Sequence, residues 1–444
     1  MKKQKRALSL GTILALFLTI VVSAGSFVML TKMRADNEDV MMSAQKMANV
    51  IGNALSENEN TPVPQNHVKT VTVTISPKNE STYSAIESAA TFTPLPTATP
   101  APEFYSFTMT VTGIAGFHSD VSDSIAAESK SAMQYQPIFE NISAEINSDI
   151  NICMLPHIIT GENQKYADVL APVQILDALK SAGFDDLLLN SEHVLDQGVQ
   201  GIENTVKAIT ERGFSCGGVN TDASKQCRIL QLNGAKIAIL TYVDGLTTKG
   251  KNALASQAAQ NLMDLYDLER VSNDIKSAKA QGANCIMIFL HWGKEDATVV
   301  TKEQRSIAQA LCELGADAII GFHPSRVLPI EILNTTDERG RRHETLVAYS
   351  MGTLLTESRN GYDISGILMH MNITCSSDGE VKFNQIEYTP TYIWRQNIKD
   401  HMQYRVVSSN HQPPDAMDKN QQEVMGRALN RIRNTLKDCP IHER

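Results

Sequence analysis

The sequence lacks the cysteine spacings of a metal-binding or redox site. Its seven cysteines are scattered between residues 153 and 439, and none forms a C-x-x-C pair. Cysteine-ligated zinc and thioredoxin-like chemistry are therefore excluded. A disulfide between Cys216 and Cys227, which flank a predicted loop, stays open as one alternative.

A basic patch is also lacking. The chain has 40 Lys and Arg against 49 Asp and Glu, which gives a formal net charge of −9. Nucleic-acid-binding domains carry a basic stripe, and here only residues 2–6 and 339–342 are visibly basic. We expect no nucleic-acid partner.

One long apolar run stands at the N-terminus. Residues 8–30 contain no charged side chain, and as a helix rising ~1.5 Å per residue they would cross a ~30 Å bilayer core. A secretory signal peptide has a shorter apolar core of roughly 7–15 residues, whereas here the run continues past the small residues at 22–25. The basic N-terminal flank places the N-terminus in the cytoplasm. We therefore expect a single-pass cell-membrane protein whose bulk is extracellular.

Composition divides the chain into four parts. Residues after the anchor have helical apolar spacing, and Pro/Thr-rich stretches near residues 61–64 and 93–102 are typical of an extended linker. The predicted parts are a cytoplasmic tip and transmembrane anchor (1–32), a juxtamembrane helix with a linker or stalk (33–103), a folded domain (104–392) and a polar helical tail (393–444).

The folded part alternates short β-branched runs with amphipathic helical stretches, a pattern that predicts an α/β domain. Strands are predicted at 149–155, 186–190, 285–290 and 318–320, among others. Asn233 and Gly234 predict a tight hairpin turn between two further strands.

Three histidines directly follow predicted strands: His193, His291 and His323. Ligand sites in open α/β sheets gather at the carboxyl ends of strands, so these side chains are predicted to converge. Asp196 and Glu295 lie close by in sequence. Imidazoles with carboxylates suit a hydrolytic metal site, although each histidine taken alone could simply fill a loop.

Five ordered motifs carry a resemblance to a known family. The motifs are ALKSAGFD at residues 178–185, NSEHVLDQG at 190–198, HWGKE at 291–295, IGFHPS at 320–325 and YSMG at 349–352. Over about residues 104–355 the chain resembles a divergent member of the CapA family of bacterial capsule and poly-γ-glutamate synthesis proteins. The resemblance implies a calcineurin-like metallophosphoesterase sandwich of two mixed sheets flanked by helices.

The sequence departs from that family where ligands are expected. Ile114 stands where the family has a metal-binding aspartate, Pro156 falls in a degraded second motif, and Phe322 and Ser325 replace histidines. Glu192 replaces an asparagine and keeps a carboxylate. The remaining ligands implied for a metal are His193, His291, His323 and Glu192, with His291, Glu295 and Asp196 as catalytic candidates.

The expected cofactor is one divalent ion, Mn, Fe or Zn, or none. The first functional hypothesis is a membrane-anchored protein in synthesis, export or assembly of an envelope polymer such as poly-γ-glutamate, with that polymer or its synthesis machinery as partner. The alternatives are a single-metal phosphoesterase-like hydrolase and a non-catalytic binding or scaffold module.

Overall fold

A computed structural model describes residues 101–117, 119–121, 136–160, 170–220, 227–337, 339–358, 360–398 and 401–444. The compact unit that they form runs from Glu103 to Arg444. The predicted anchor, the juxtamembrane helix and nearly all of the linker lie outside the described residues. No helix within the described ranges is long and apolar enough to span a bilayer.

The described elements comprise seventeen strands and seven α-helices. The strands are β1 (Phe104–Ala115), β2 (Ile150–Met154), β3 (Ile158–Thr160), β4 (Leu170–Pro172), β5 (Asp186–Leu188), β6 (Ser215–Gly217), β7 (Arg228–Leu232), β8 (Ala235–Val243), β9 (Cys285–His291), β10 (Ala318–Phe322), β11 (Ile330–Thr336), β12 (Arg342–Ala348), β13 (Thr353–Leu355), β14 (Ser365–Ser376), β15 (Val381–Ile398), β16 (His401–Ser408) and β17 (His442–Glu443). The helices are α1 (Ile175–Ala182), α2 (Gly198–Glu211), α3 (Thr248–Ala253), α4 (Gln257–Leu262), α5 (Leu268–Ala280), α6 (Lys302–Glu313) and α7 (Lys419–Leu436).

Both large sheets are mixed. The first has the order β16-β15-β14-β1-β2-β5-β6, with β13 beside β1 and β17 beside β15. Its β1, β2, β5 and β6 are parallel, and β14 to β16 add antiparallel strands. The second has the order β11-β12-β10-β9-β8-β7, with β8, β9, β10 and β12 parallel. The mixed-sheet α/β architecture expected from the sequence is confirmed.

An apolar layer joins the two sheets face to face. Alternate residues of β1, Phe107, Met109 and Val111, point into it because successive strand side chains face opposite ways. From the other sheet, Phe289 of β9 and Phe322 of β10 stack with ring centroids 6.2 Å apart. Burying this layer fixes the two sheets against each other.

Helices cover the outer faces. Helices α1, α2 and α7 contribute to a second apolar cluster with outward-facing residues of the first sheet such as Leu187 and Ile393. On the second sheet, α5 lies against β8, where Tyr242 Oη donates to Asp274 Oδ2 at 2.8 Å. Each helix is stable because one face is buried in this way.

Local signals predicted most elements well. The hairpin is confirmed: Asn233 and Gly234 have φ of 49° and 89°, and Leu232 pairs with Ala235 across the two-residue turn. Cys216 and Cys227 are both free thiols. Residues 393–444 differ from the predicted helical tail. Strand β15 continues to residue 398 and pairs with β16, and only α7 matches the expected helix.

The buried carboxyl group of Asp317 gives a pH-dependence prediction. Asp317 Oδ2 accepts the Ile286 N–H at 2.7 Å, and burial raises the pKa of Asp317 to about 6. A raised folded-state pKa stabilises the fold below the unfolded pKa, and that stability is lost as pH rises through about 6. Relative to Asp317→Asn, the wild-type free energy of unfolding should fall by about 2 kcal/mol between pH 4 and 7, as measured by urea denaturation. The exposed Asp415→Asn control should keep the wild-type slope, and an unchanged slope in Asp317→Asn would contradict the assignment.

Candidate functional site

Strand ends from both sheets meet at one place. Strand β5 of the first sheet leads into the loop carrying residues 190–198, while β8, β9 and β10 of the second sheet end at Val243, His291 and Phe322. The carboxyl ends of parallel strands are where open α/β sheets form ligand sites. The histidines predicted from the sequence therefore lie on adjacent strand ends.

The buried amide of Asn190 ties the two sheets together beside the site. Its Nδ2 donates to the carbonyl oxygen of Tyr242 at 3.3 Å and to that of Phe289 at 3.1 Å. These carbonyls belong to β8 and β9, so one side chain of the first sheet bridges two strands of the second. The loop that begins at Asn190 is thereby fixed next to His291.

A carboxylate contacts the Nδ1 side of the His193 ring. Its Nδ1 lies 2.8 Å from Asp196 Oδ2, and the Asp196 side chain is only 5% exposed. The hydroxyl of Thr247, at the start of α3, donates to the other oxygen of Asp196. An aspartate in this place fixes the orientation of the imidazole and leaves Nε2 to face the site. We therefore interpret Asp196, predicted as catalytic, as a positioning residue for His193.

Glu192 lies between two of the histidines. Its Oε1 is 3.6 Å from His193 Nε2 and 3.9 Å from His323 Nδ1. The backbone carbonyl of Glu192 accepts the Thr247 N–H at 3.2 Å. The residue that replaces an amide of the family pattern thus places a carboxylate at the centre of the cluster.

His291 lies beneath His323. Their ring centroids are 4.5 Å apart, and His291 is buried. Burial lowers the pKa of His291 well below its ordinary value, and the nearby His323 and His193 lower it further. His291 is therefore neutral at pH 7, so one of its ring nitrogens can donate a hydrogen bond and the other can accept one.

His323 has a strained backbone. Its φ is +96°, a value that residues with a Cβ rarely adopt. Neighbouring bonds hold the loop: Ser350 Oγ donates to the Pro324 carbonyl at 2.7 Å, and the Ser325 N–H donates to the Glu295 carbonyl at 2.9 Å. Strain of this kind in a non-glycine residue is concentrated at functional sites.

Asp244 belongs to the site and was missed from the sequence. It directly follows β8, and its N–H donates to the His291 carbonyl at 2.9 Å. Although the residue is exposed, surrounding protein atoms desolvate the carboxyl and raise its pKa, while His323 and the Gly293 N–H oppose this shift. The signal that identified the histidines, a polar residue directly after a strand, would also have found Asp244.

Glu295 and Trp292 stand apart from the cluster. Glu295 is exposed, and within the described ranges its side chain makes no hydrogen bond or ion pair. Trp292 is buried, stacks on Tyr349 at 5.7 Å and donates from Nε1 to the Tyr349 carbonyl at 3.0 Å. This tryptophan therefore packs beneath the site.

Apolar packing occupies the positions where family ligands are missing. Phe322 is buried in the layer between the sheets, and Ile114 packs against the same layer. Gly113, just before it, allows close approach, because a Cβ there would lie 2.2 Å from the Gly352 carbonyl oxygen. His157 Nε2 accepts the Phe117 N–H at 2.7 Å, which is a structural role.

The cluster does not fit a metal centre in this arrangement. Imidazole nitrogens and a carboxylate oxygen are suitable donors for Mn, Fe or Zn. Within the described part of the chain, however, no group of three or more His, Cys, Asp or Glu is placed to hold an ion. The expected ligand positions at Ile114 and Phe322 are apolar. We derive no chemical step through a metal.

The described unit is thus an α/β sandwich of two mixed sheets, with an imidazole–carboxylate cluster at the strand ends. The sequence profile of the family described as "Bacterial capsule synthesis protein PGA_cap" matches residues 108–358 of the 444. The chain belongs to this family, as a divergent member, and the match includes all the predicted site residues.

Two curated relatives agree with this assignment. The chain is 26% identical over 248 residues to "PGA biosynthesis protein CapA" of Bacillus subtilis (strain 168), an alignment that covers 54% of this chain and 62% of that protein. It is 26% identical over 228 residues to "Capsule biosynthesis protein CapA" of Bacillus anthracis, covering 49% and 53%. The alignments thus span less than two thirds of either relative.

A solved calcineurin-like phosphoesterase, YfkN from Bacillus subtilis, aligns over 74% of this chain and 100% of that one, with 13% identity and a TM-score of 0.39. A TM-score this low does not support an inference about function.

The strain at His323 predicts a difference between two substitutions that remove the same imidazole. His323→Ala keeps a Cβ at a φ of +96°, whereas His323→Gly does not. The glycine variant should therefore be more stable than the alanine variant by about 1 kcal/mol, measured by urea denaturation. As a control, the same pair of substitutions at His442 in β17 should favour alanine. Equal stability of the two His323 variants would show that the backbone there is unstrained.

Proposed function

We propose that this protein acts in the synthesis, export or assembly of a capsule or other cell-envelope polymer such as poly-γ-glutamate. The observation that carries the proposal is the family match over residues 108–358, which contains the whole cluster of His193, His291 and His323. The two CapA proteins similar to this chain are named for capsule or PGA biosynthesis.

The cluster acts in binding and positioning more than in strong hydrolysis. Apolar side chains at Ile114 and Phe322 replace ligands that the family resemblance implies, and both pack into the layer between the sheets. What remains are imidazoles around Glu192, with Asp196 orienting His193. Such groups can donate hydrogen bonds to an anionic substrate and exchange protons with it.

The proposal includes a membrane anchor. Residues 8–30 form the uncharged run after a basic flank, so the N-terminus is cytoplasmic and the folded domain is extracellular. The linker places that domain near the membrane, where a polymer or its synthesis machinery is the partner. The acidic net charge of −9 supports the expectation that nucleic acid is not a partner.

The proposal predicts that the cluster is required for polymer formation in cells. In a deletion strain complemented with the full chain, His291→Ala or His323→Ala should reduce surface polymer by about tenfold or more, because each removes an imidazole that the proposal uses for hydrogen bonding and proton exchange. The exposed His442→Ala is the matched control and should restore wild-type amounts, with immunoblots showing equal protein levels. Normal polymer in both cluster variants would refute the proposal.

A single-metal hydrolase is the second candidate function. It is favoured by the carboxylate of Glu192, whose Oε1 lies 3.6 Å from His193 Nε2 and 3.9 Å from His323 Nδ1, a donor set that needs only a small movement to converge.

Metal analysis of the purified full chain separates the two candidates. The first proposal predicts Mn, Fe and Zn contents far below one ion per chain, unchanged by His291→Ala, because no ion is held by the cluster. The hydrolase predicts a stoichiometric ion that both His291→Ala and Glu192→Gln remove, with chelator-sensitive cleavage of generic phosphodiesters. Stoichiometric metal lost in both variants would therefore overturn the non-hydrolytic role of the cluster in favour of the hydrolase.

A further inference from the structure

Tyr362 is a large aromatic side chain left 52% exposed on an otherwise well-packed domain. Arginines lie over its ring: the Cζ of Arg326 is 4.4 Å and that of Arg431 is 4.9 Å from the ring centroid. We call the surface formed by Tyr362, Arg326 and Arg431, together with Arg427 one helical turn before Arg431, the Tyr362 platform. The platform lies outside the histidine cluster. Apart from Arg326, its residues also lie outside the part of the chain that matches the family profile.

Three separate segments build the platform. Arg326 lies in the loop after β10, three positions beyond His323; Tyr362 lies between β13 and β14; Arg427 and Arg431 are on α7. Arg431 also donates to the carbonyl of Gly361, which fixes α7 against the Tyr362 loop. The loop that carries His323 is therefore continuous with the platform.

The positive charge of the platform is only partly neutralised. Asp363 lies 3.8 Å from Arg326 and Glu423 lies 3.8 Å from Arg427, both longer than a hydrogen bond. The Nε of Arg326 makes no hydrogen bond within the described residues. Burial lowers the pKa of Arg431, and Arg326 and Arg427 lower it further against the opposing effect of Tyr362, so the guanidinium groups are near enough to repel one another.

An anion with several separated charges would relieve this repulsion. Guanidinium groups take carboxylates in paired hydrogen bonds, and the part of the Tyr362 ring that the arginines leave exposed can pack against methylene groups. The three arginines of the platform outnumber the neighbouring Asp363 and Glu423, so its formal charge is +1 on a chain whose net charge is −9, and this favours a negatively charged partner.

We propose that the Tyr362 platform binds a carboxylate-bearing polymer, its guanidinium groups taking successive carboxylates while the tyrosine ring contacts the methylene spacers. This inference rests on the proposed function and deepens it, because it assigns the polymer a docking surface next to the His323 loop.

Binding of fluorescein-labelled poly-γ-glutamate to the purified full chain tests the proposal by fluorescence anisotropy. Arg326→Gln and Arg431→Gln should each weaken binding by about tenfold, the usual effect of losing one charged hydrogen bond. Arg427→Gln should weaken it as well, and because that side chain is 61% exposed the variant should fold normally. The wild-type affinity should fall as salt is raised.

Arg433→Gln is the matched control. Arg433 is on the same helix but pairs with Glu443, away from the platform, so this variant should change the affinity by less than about twofold. Equal affinity of all platform variants and the control would overturn the proposal. So would binding of phosphatidylglycerol vesicles in place of the polymer, with the same loss on substitution, because the surface would then be a lipid-headgroup site.

The cell assay distinguishes failure of this inference from failure of the proposed function. If the wild-type chain binds no polymer while His291→Ala still abolishes surface polymer, the platform inference fails and the proposed function stands. If polymer binds through the platform while the cluster variants make normal polymer, the platform inference stands. The proposed function then fails, because the histidine cluster is not required for polymer formation.

Discussion

The apolar layer between the two sheets is the constraint on which the site depends. Stacked rings of Phe289 and Phe322, with Met109 and Val111 opposite, fix the sheets in one relative position. Interiors pack as densely as organic crystals, so this position has little freedom. With it fixed, the carboxyl ends of β5, β8, β9 and β10 lie together, and the polar side chains that follow them have to share one region.

Hydrogen bonds then fix individual side chains within the arrangement that packing sets. Asn190 spans the sheets by donating to the carbonyls of Tyr242 and Phe289, and Asp196 fixes His193 from behind. A buried amide with its donors paired specifies one arrangement, because any shift would leave carbonyls unsatisfied. The strained backbone of His323 is held by the same kind of neighbouring bonds.

The same packing explains how the site departs from the family pattern. Phe322 and Ile114 stand where ligands are expected, and both join the layer between the sheets. At these two positions apolar side chains add to the core, and the site therefore has fewer groups that could bind a metal ion. The proposals that the protein holds an anionic chain and does not cleave it rest on this reduced donor set and on the neighbouring arginine–tyrosine surface.

The sequence by itself determined the features that depend on neighbouring residues. The Asn233–Gly234 turn and the polar residues after each strand are local, so they predict the hairpin and the three histidines. The family motifs added the order of the elements. By contrast, β16 was missed because its pairing with β15 is decided by a partner strand and not by its own polar pattern.

Only the tertiary structure decided which side chains meet. It brought in Asp244, left Glu295 exposed outside the cluster, and buried Trp292 against Tyr349. It also brought Arg326 and Arg431 onto one ring from segments about a hundred residues apart. The physical reason is that side-chain contacts depend on how sheets and helices pack, whereas strand and helix signals are carried within a few residues of chain.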